Sequence, residues 1–125
     1  MSLTLNTRRA NGVTVVDVAG RVTLGDGSTE LRDAIRALVS EGQKQILLNL
    51  AELTYLDSSG IGVLVSSFAT LRSQQGQLKL MHLTGRVKDL LLITKLYTVF
   101  EVFEDESTAV DSFGGIAVAS PALRT

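Results

Sequence analysis

Cysteine is absent from the 125 residues, so no disulfide, thiolate metal site or thiol nucleophile is available. His82 is the single histidine, which excludes an HExxH zinc helix and any multi-histidine metal site. Aromatic residues make up only 5% and tryptophan is missing, leaving an aliphatic core of Leu, Val, Ile and Ala. Neither charge sign dominates: 12 basic against 13 acidic residues leave a formal net charge of −1. A field able to draw in a polyanion is therefore lacking, and no direct nucleic-acid partner is expected. No apolar run approaches the roughly 18 residues of a membrane span, and the opening residues lack the basic and apolar blocks of a signal peptide. A soluble, cytoplasmic protein is the expectation. Neither GxGxxG nor GxxxxGK[ST] occurs, and no cofactor is expected.

What is present suits one domain, since 45% of the chain is apolar. Two extended stretches, Leu3 to Arg9 and Val13 to Val18, flank Asn11-Gly12, the strongest short hairpin signal. Gly20, Gly25 and Gly27 then punctuate a loop. Leu31, Ala34, Ile35, Leu38 and Val39 recur at helical spacing up to Gly42. Ser28 is the expected cap of that helix, without a capping box because Leu31 stands where Glu or Gln belongs. The nearly continuous run Ile46 to Leu50 predicts a central strand covered on both faces. Ile61, Leu64, Val65, Phe68 and Leu71 predict a second helix, closed by Gly76. Further extended segments are expected over Leu78 to Leu83 and Val99 to Phe103, with short helices around Val87 to Leu91 and Thr108 to Phe113. The economical arrangement is an α/β fold: an N-terminal hairpin leading into a mixed sheet covered by helices. One domain over 1–113 and a loose tail over 114–125 are expected.

The chemistry-bearing passage is Tyr55-Leu56-Asp57-Ser58-Ser59-Gly60-Ile61-Gly62, where an extended approach turns into a helix. Asp57 or Ser58 can cap the first free amides, and Ser59 can present its hydroxyl beside them. Gly60 and Gly62 each cost about 1 kcal/mol relative to Ala inside a helix, so close packing or a partner is implied. A serine-hydrolase triad of Ser59, His82 and an aspartate lacks the GxSxG elbow. Gly25-Asp26-Gly27 reads as turn chemistry, and Asp26, Glu30 and Asp33 are ordinary acids of a helix start. A phosphoryl group on Ser59 would meet a positive helix end and would alter the surface more than the backbone.

These segments together resemble the STAS family, specifically the single-domain bacterial anti-sigma factor antagonists. The resemblance runs from Leu3 to Phe113. It is carried by Val18-Ala19-Gly20-Arg21-Val22, Ile46 to Leu50, Leu56-Asp57-Ser58-Ser59-Gly60-Ile61-Gly62 and Gly85 to Leu91. It implies a four- or five-stranded mixed sheet with helices packed mainly on one side, and a substrate and ligand in place of an enzyme. Ser59 falls at the phosphoacceptor position, Asp57 at a residue aiding the kinase reaction or partner fit, and Ser58 at a structural cap. The contact face implied comprises the Gly20 to Ser28 loop, the turn from Asp57 through Gly60, Ile61 and Gly62, and the exposed side of the next helix, with Asp26, Ser66 and Arg72 as contacts. The implied partner is a switch-type serine kinase that doubles as anti-sigma factor. It binds the unphosphorylated form, frees its sigma factor and is released on phosphorylation; a metal-dependent serine phosphatase reverses the mark. The alternative is a STAS scaffold or transport-associated regulator whose serine never turns over.

Overall fold

A computed structural model describes residues 3–117. The chain order is β1 (Leu3–Ala10), β2 (Val13–Val22), α1 (Ser28–Ser40), β3 (Gln45–Leu56), α2 (Ser58–Ser73), β4 (Gln77–Met81), α3 (Gly85–Ile93), a 3₁₀ turn (Leu96–Thr98), β5 (Val102–Phe103) and α4 (Glu106–Ala117). Asn11 and Gly12 both have positive φ, 50° and 83°, the twist that a two-residue hairpin turn requires. β1 and β2 are accordingly antiparallel, every later pairing is parallel, and the sheet order is β1-β2-β3-β4-β5. The expected mixed sheet is present with five strands and β3 at its centre.

Alternation along the strands divides the apolar residues between two layers. Val16, Val18, Val22, Ile46, Leu48, Leu78 and Leu80 pack with Leu31, Ile35, Leu64, Leu71 and Leu91 from α1, α2 and α3. On the opposite face, Val13, Val15, Leu47 and Met81 meet Ala109, Val110 and Phe113 of α4. Helices thus lie mainly on one side. The uninterrupted run Ile46-Leu47-Leu48 is explained, because the central strand is buried from both directions.

Two expectations need correction. The α1 cap is Gly27, not Ser28, which is buried as the first helical residue. Gly27 has φ 97°, and a Cβ there would stand 2.1 Å from the Arg21 carbonyl oxygen, so the turn must close one residue early. Glu30 then occupies the third helical position, and its Oε1 accepts from the Gly27 N–H at 3.1 Å. At the other end, α4 continues through Gly114 and Gly115 to Ala117, so the first part of the stretch read as a loose tail is helical. Ala109, Val110 and Phe113 anchor that helix on the sheet. The rest of the stretch, 118–125, lies outside the described residues.

Arg8 ties α4 to the hairpin. Its guanidinium donates to Asp17 at 2.9 and 3.1 Å and to Glu106 at 2.7 Å twice. The Arg8 hydrogen bonds, helped by Asn49 and Asn6, pull the Asp17 carboxyl from its ordinary 3.8 down to about 2 against the opposing effect of burial. Such a drop corresponds to about 2 kcal/mol, and screening at a side chain 29% exposed reduces it to about 1 kcal/mol. A carboxyl with a depressed native pKa contributes fully above its unfolded pKa and loses its contribution as pH falls through the folded value. Urea midpoints are therefore expected to drop between pH 4 and pH 2, about the interval bounded by the two Asp17 values. Arg8→Met should flatten that drop; an unchanged acid profile would rule out the clamp as its source.

Candidate functional site

Because β2, β3 and β4 run parallel, their C-terminal ends lie along one margin of the sheet. The chain re-enters there as α1, α2 and α3, bringing three helix starts to the same side. Asp57 caps α2: its Oδ1 accepts from the Ser59 N–H at 2.9 Å and the Gly60 N–H at 3.1 Å. Its Oδ2 accepts from the Leu24 N–H at 3.1 Å, in the loop between β2 and α1. One carboxylate thus joins two loops. The Leu24 N–H, followed by those of Gly60 and Ser59, holds the Asp57 carboxyl below its ordinary range. Asp57→Ala is expected to speed amide exchange at Leu24, Ser59 and Gly60 together; an effect confined to α2 would deny the link between loops.

The cap role implied for Ser58 therefore passes to Asp57. Ser58 is the first helical residue and is exposed. The reason is register: the Asp57 N–H reaches the Val22 carbonyl at 3.4 Å, which aims the Asp57 side chain at the helix amides. Ser59 is half-buried at the second helical position, and no hydrogen bond among the described residues engages its hydroxyl. Gly60 is buried against β2, where a Cβ would stand 2.5 Å from the Val22 carbonyl oxygen. Ile61 packs partly into the core beneath. Gly62 is exposed, with nothing within 4 Å of a Cβ position.

The remaining sequence candidates spread along the surface. Asp26 is half-buried; its backbone closes a turn with Thr23 at 2.8 and 3.0 Å, and its carboxylate stands 3.4 Å from Arg21 Nε. Ser66 is exposed on α2 and donates its hydroxyl to the Val63 carbonyl at 3.2 Å. Arg72 lies in the last turn of α2, about 20 Å along the helix from Ser59, and the structure does not bring the two together.

Two features of this margin escaped sequence reasoning. Leu24 is 80% exposed at the loop tip held by Asp57. Its one sequence signal is a large apolar residue inside a glycine-punctuated turn. Tyr55 pairs with Arg21 in the β2–β3 register, and the Arg21 and Arg86 guanidiniums lie 5.1 and 5.6 Å from its ring centre. Tyr55 and its two arginines form a firm, partly exposed platform.

A shared carboxylate cap, a hydroxyl that no hydrogen bond among the described residues engages and an exposed apolar loop tip lie together along one margin of a small α/β domain. No cluster of three or more His, Cys, Asp or Glu side chains fit to hold a metal occurs among the described residues. No helix among them is long and apolar enough to cross a membrane. The class is that of a small α/β domain with a mixed five-stranded sheet. The chain belongs to the STAS domain family, whose model matches residues 4–109. It is 28% identical over 102 residues to the anti-sigma-B factor antagonist of Bacillus subtilis, covering 82% of this chain and 92% of that one. Its fold is similar to that of an anti-sigma factor antagonist from Mycobacterium paratuberculosis, with a TM-score of 0.82 and 20% identity over 91% of this chain and 96% of that one. The Bacillus cell fate determinant SpoIIAA in its phosphorylated form shares the fold at a TM-score of 0.68 and 19% identity, covering 89% and 98% of the respective chains.

Proposed function

We propose that this chain is an anti-sigma factor antagonist that acts by partner switching on Ser59. In the unphosphorylated form it binds a serine kinase that is also an anti-sigma factor, and the captured kinase gives up its sigma factor. Transfer then forms a bond between Ser59 Oγ and the γ-phosphorus of ATP, breaks the bridging bond to ADP and passes the hydroxyl proton to a base of the kinase. The phosphorylated chain dissociates, and a serine phosphatase restores it by hydrolysis. On this reading the protein acts in the cytoplasm. The observation that carries the reading is the Ser59 hydroxyl, unengaged by any hydrogen bond among the described residues and set beside amides that Asp57 already holds. The names of the B. subtilis and Mycobacterium relatives support it. Leu24, Asp26, Ser58 and Gly62 would then supply the contact face around the serine, with Val65 and Ser66 farther along α2. Gly60 and Ile61 would act from beneath by setting the height of the turn.

The test is intact-mass analysis of the chain copurified with its native partner, with and without ATP, followed by site mapping. One phosphate on Ser59 with release of the partner is expected, and Ser59→Ala should bind without taking phosphate. Phosphate mapped to Ser58 would overturn the assignment. A stable complex without phosphate exchange, under conditions where the kinase is active, would make the chain a scaffold.

A further inference from the structure

The two edges of the sheet are unequally protected. β5 presents two residues, whereas β1 runs for eight and pairs with β2 alone. The turn decides which groups β1 leaves over. Across Asn11-Gly12, Ala10 and Val13 exchange both backbone hydrogen bonds, and the pairing runs on without a bulge to Leu3↔Gly20. Alternation directs the N–H and C=O of Thr4, Asn6 and Arg8 to β2, and those of Leu5, Thr7 and Arg9 away from it. β2 agrees with this count, because the Gly20 and Val22 carbonyls turn toward β3 and accept from Thr54 Oγ1 at 2.9 Å and the Asp57 N–H at 3.4 Å. Thr7 and Arg9 are exposed and Leu5 is half-buried. No strand, loop or helix among the described residues offers a backbone hydrogen bond to their outward groups.

A long edge strand in a native sheet is normally blunted by proline, a bulge or a free charge. β1 carries neither proline nor bulge. Arg8 is neutralised between Asp17 and Glu106, and Arg9 reaches back to Gln43 Oε1 at 3.0 Å. We propose that β1 pairs antiparallel with β1 of a second copy, joining two five-stranded sheets into one. The occupant follows from the strand's complementarity to itself. With a two-fold axis at Asn6, Leu5 of each copy exchanges hydrogen bonds with Thr7 of the other, Leu3 meets Arg9 and Thr4 meets Arg8, so no like charges face each other. An axis at Arg8 or Arg9 sets two guanidiniums opposite one another, and a register one residue out turns outward groups against inward ones. β2 stands between this edge and β3, which leads to Ser59, so the pairing is independent of Ser59 and its phosphorylation.

The test is sedimentation equilibrium of the unphosphorylated full chain, without kinase, from roughly 10 µM to 1 mM, the range in which a short strand-to-strand contact is populated. The mass is expected to rise from 13.4 kDa toward twice that value. Amide exchange at the highest concentration should slow about fivefold at Leu5, Thr7 and Arg9, while Asn6 and Arg8, already held by β2, stay unchanged. Thr7→Pro deletes an outward N–H and no bond to β2, so it should fold as the parent does and remain a monomer. Exchange in the parent chain reads the same edge without any substitution. A mass of 13.4 kDa at every concentration would overturn the proposal. So would a dimer that Thr7→Pro leaves intact, or one whose slowed amides lie outside β1.

Discussion

Phosphorylation of Ser59 is expected to weaken the complex with the kinase several hundredfold while leaving the melting temperature nearly unchanged. The two halves of that expectation have different physical origins. The fold is spared because Ser59 stands at the second position of α2, where the helix dipole favours negative charge. Binding suffers because the Ser59 and Gly60 N–H groups are already taken by Asp57 Oδ1. A phosphoryl group therefore finds those amides occupied and projects outward, carrying nearly two negative charges beside a carboxylate held ionised by the Leu24 amide and by those of Gly60 and Ser59. A partner surface fitted to a hydroxyl would lose two or three contacts, about 3 to 5 kcal/mol, and each 1.4 kcal/mol is tenfold in affinity. Titration calorimetry on the unphosphorylated, phosphorylated and Ser59→Asp forms measures this directly. Ser59→Asp should fall between the other two because it adds one charge and little volume. Equal affinities across the three forms would remove charge from the mechanism.

Much of this arrangement was legible in the residues because its determinants are local. Asn11-Gly12 prescribes a hairpin turn, Ile46-Leu47-Leu48 prescribes a strand covered twice, and the spacing from Leu31 to Val39 prescribes a helical face. What was misplaced depends on contacts between distant segments. Ser28, Asp57 and Ser58 are all competent caps, and the choice among competent residues falls to carbonyls of β2: Arg21 crowds Gly27, and Val22 receives the Asp57 N–H. The Gly114-Gly115 pair reads as a helix stop, yet the seating of Val110 and Phe113 on Val13, Val15, Leu47 and Met81 outweighs a cost of about 2 kcal/mol. The Leu24 amide on Asp57 and the Tyr55 platform join residues about thirty positions apart, and no periodicity announces them. Arg72 shares a helix with Ser59, but a rise of 1.5 Å per residue carries it to the opposite end of the domain.

The two glycines of α2 offer the sharpest separation between folding and recognition, and their alanine variants should move stability in opposite directions. By propensity alone both substitutions stabilise, by about 1 kcal/mol. At Gly60 the new methyl would stand 2.4 Å from Leu56 Cδ1 and 2.5 Å from the Val22 carbonyl oxygen. The leucine can rotate away, but Val22 is fixed in β2, paired with Leu56 and accepting from Asp57. The start of α2 must therefore lift from the sheet, and Gly60→Ala is expected to cost about 2 to 3 kcal/mol net. The same lift drags Ser59 and Asp57, loosening the Leu24 amide, so binding should weaken along with stability. At Gly62 nothing lies within 4 Å of the added carbon, so the full propensity gain of about 1 kcal/mol is available. Gly62 faces outward beside Ser59, so the variant should fold more firmly while its methyl stands in the surface proposed to meet the kinase. Urea midpoints, read beside kinase affinity, test both claims. Two destabilised variants would mean that α2 tolerates no side chain along either line. A Gly62→Ala form that binds as tightly as the parent would remove that glycine from the contact face and leave it only a packing-free position in the helix.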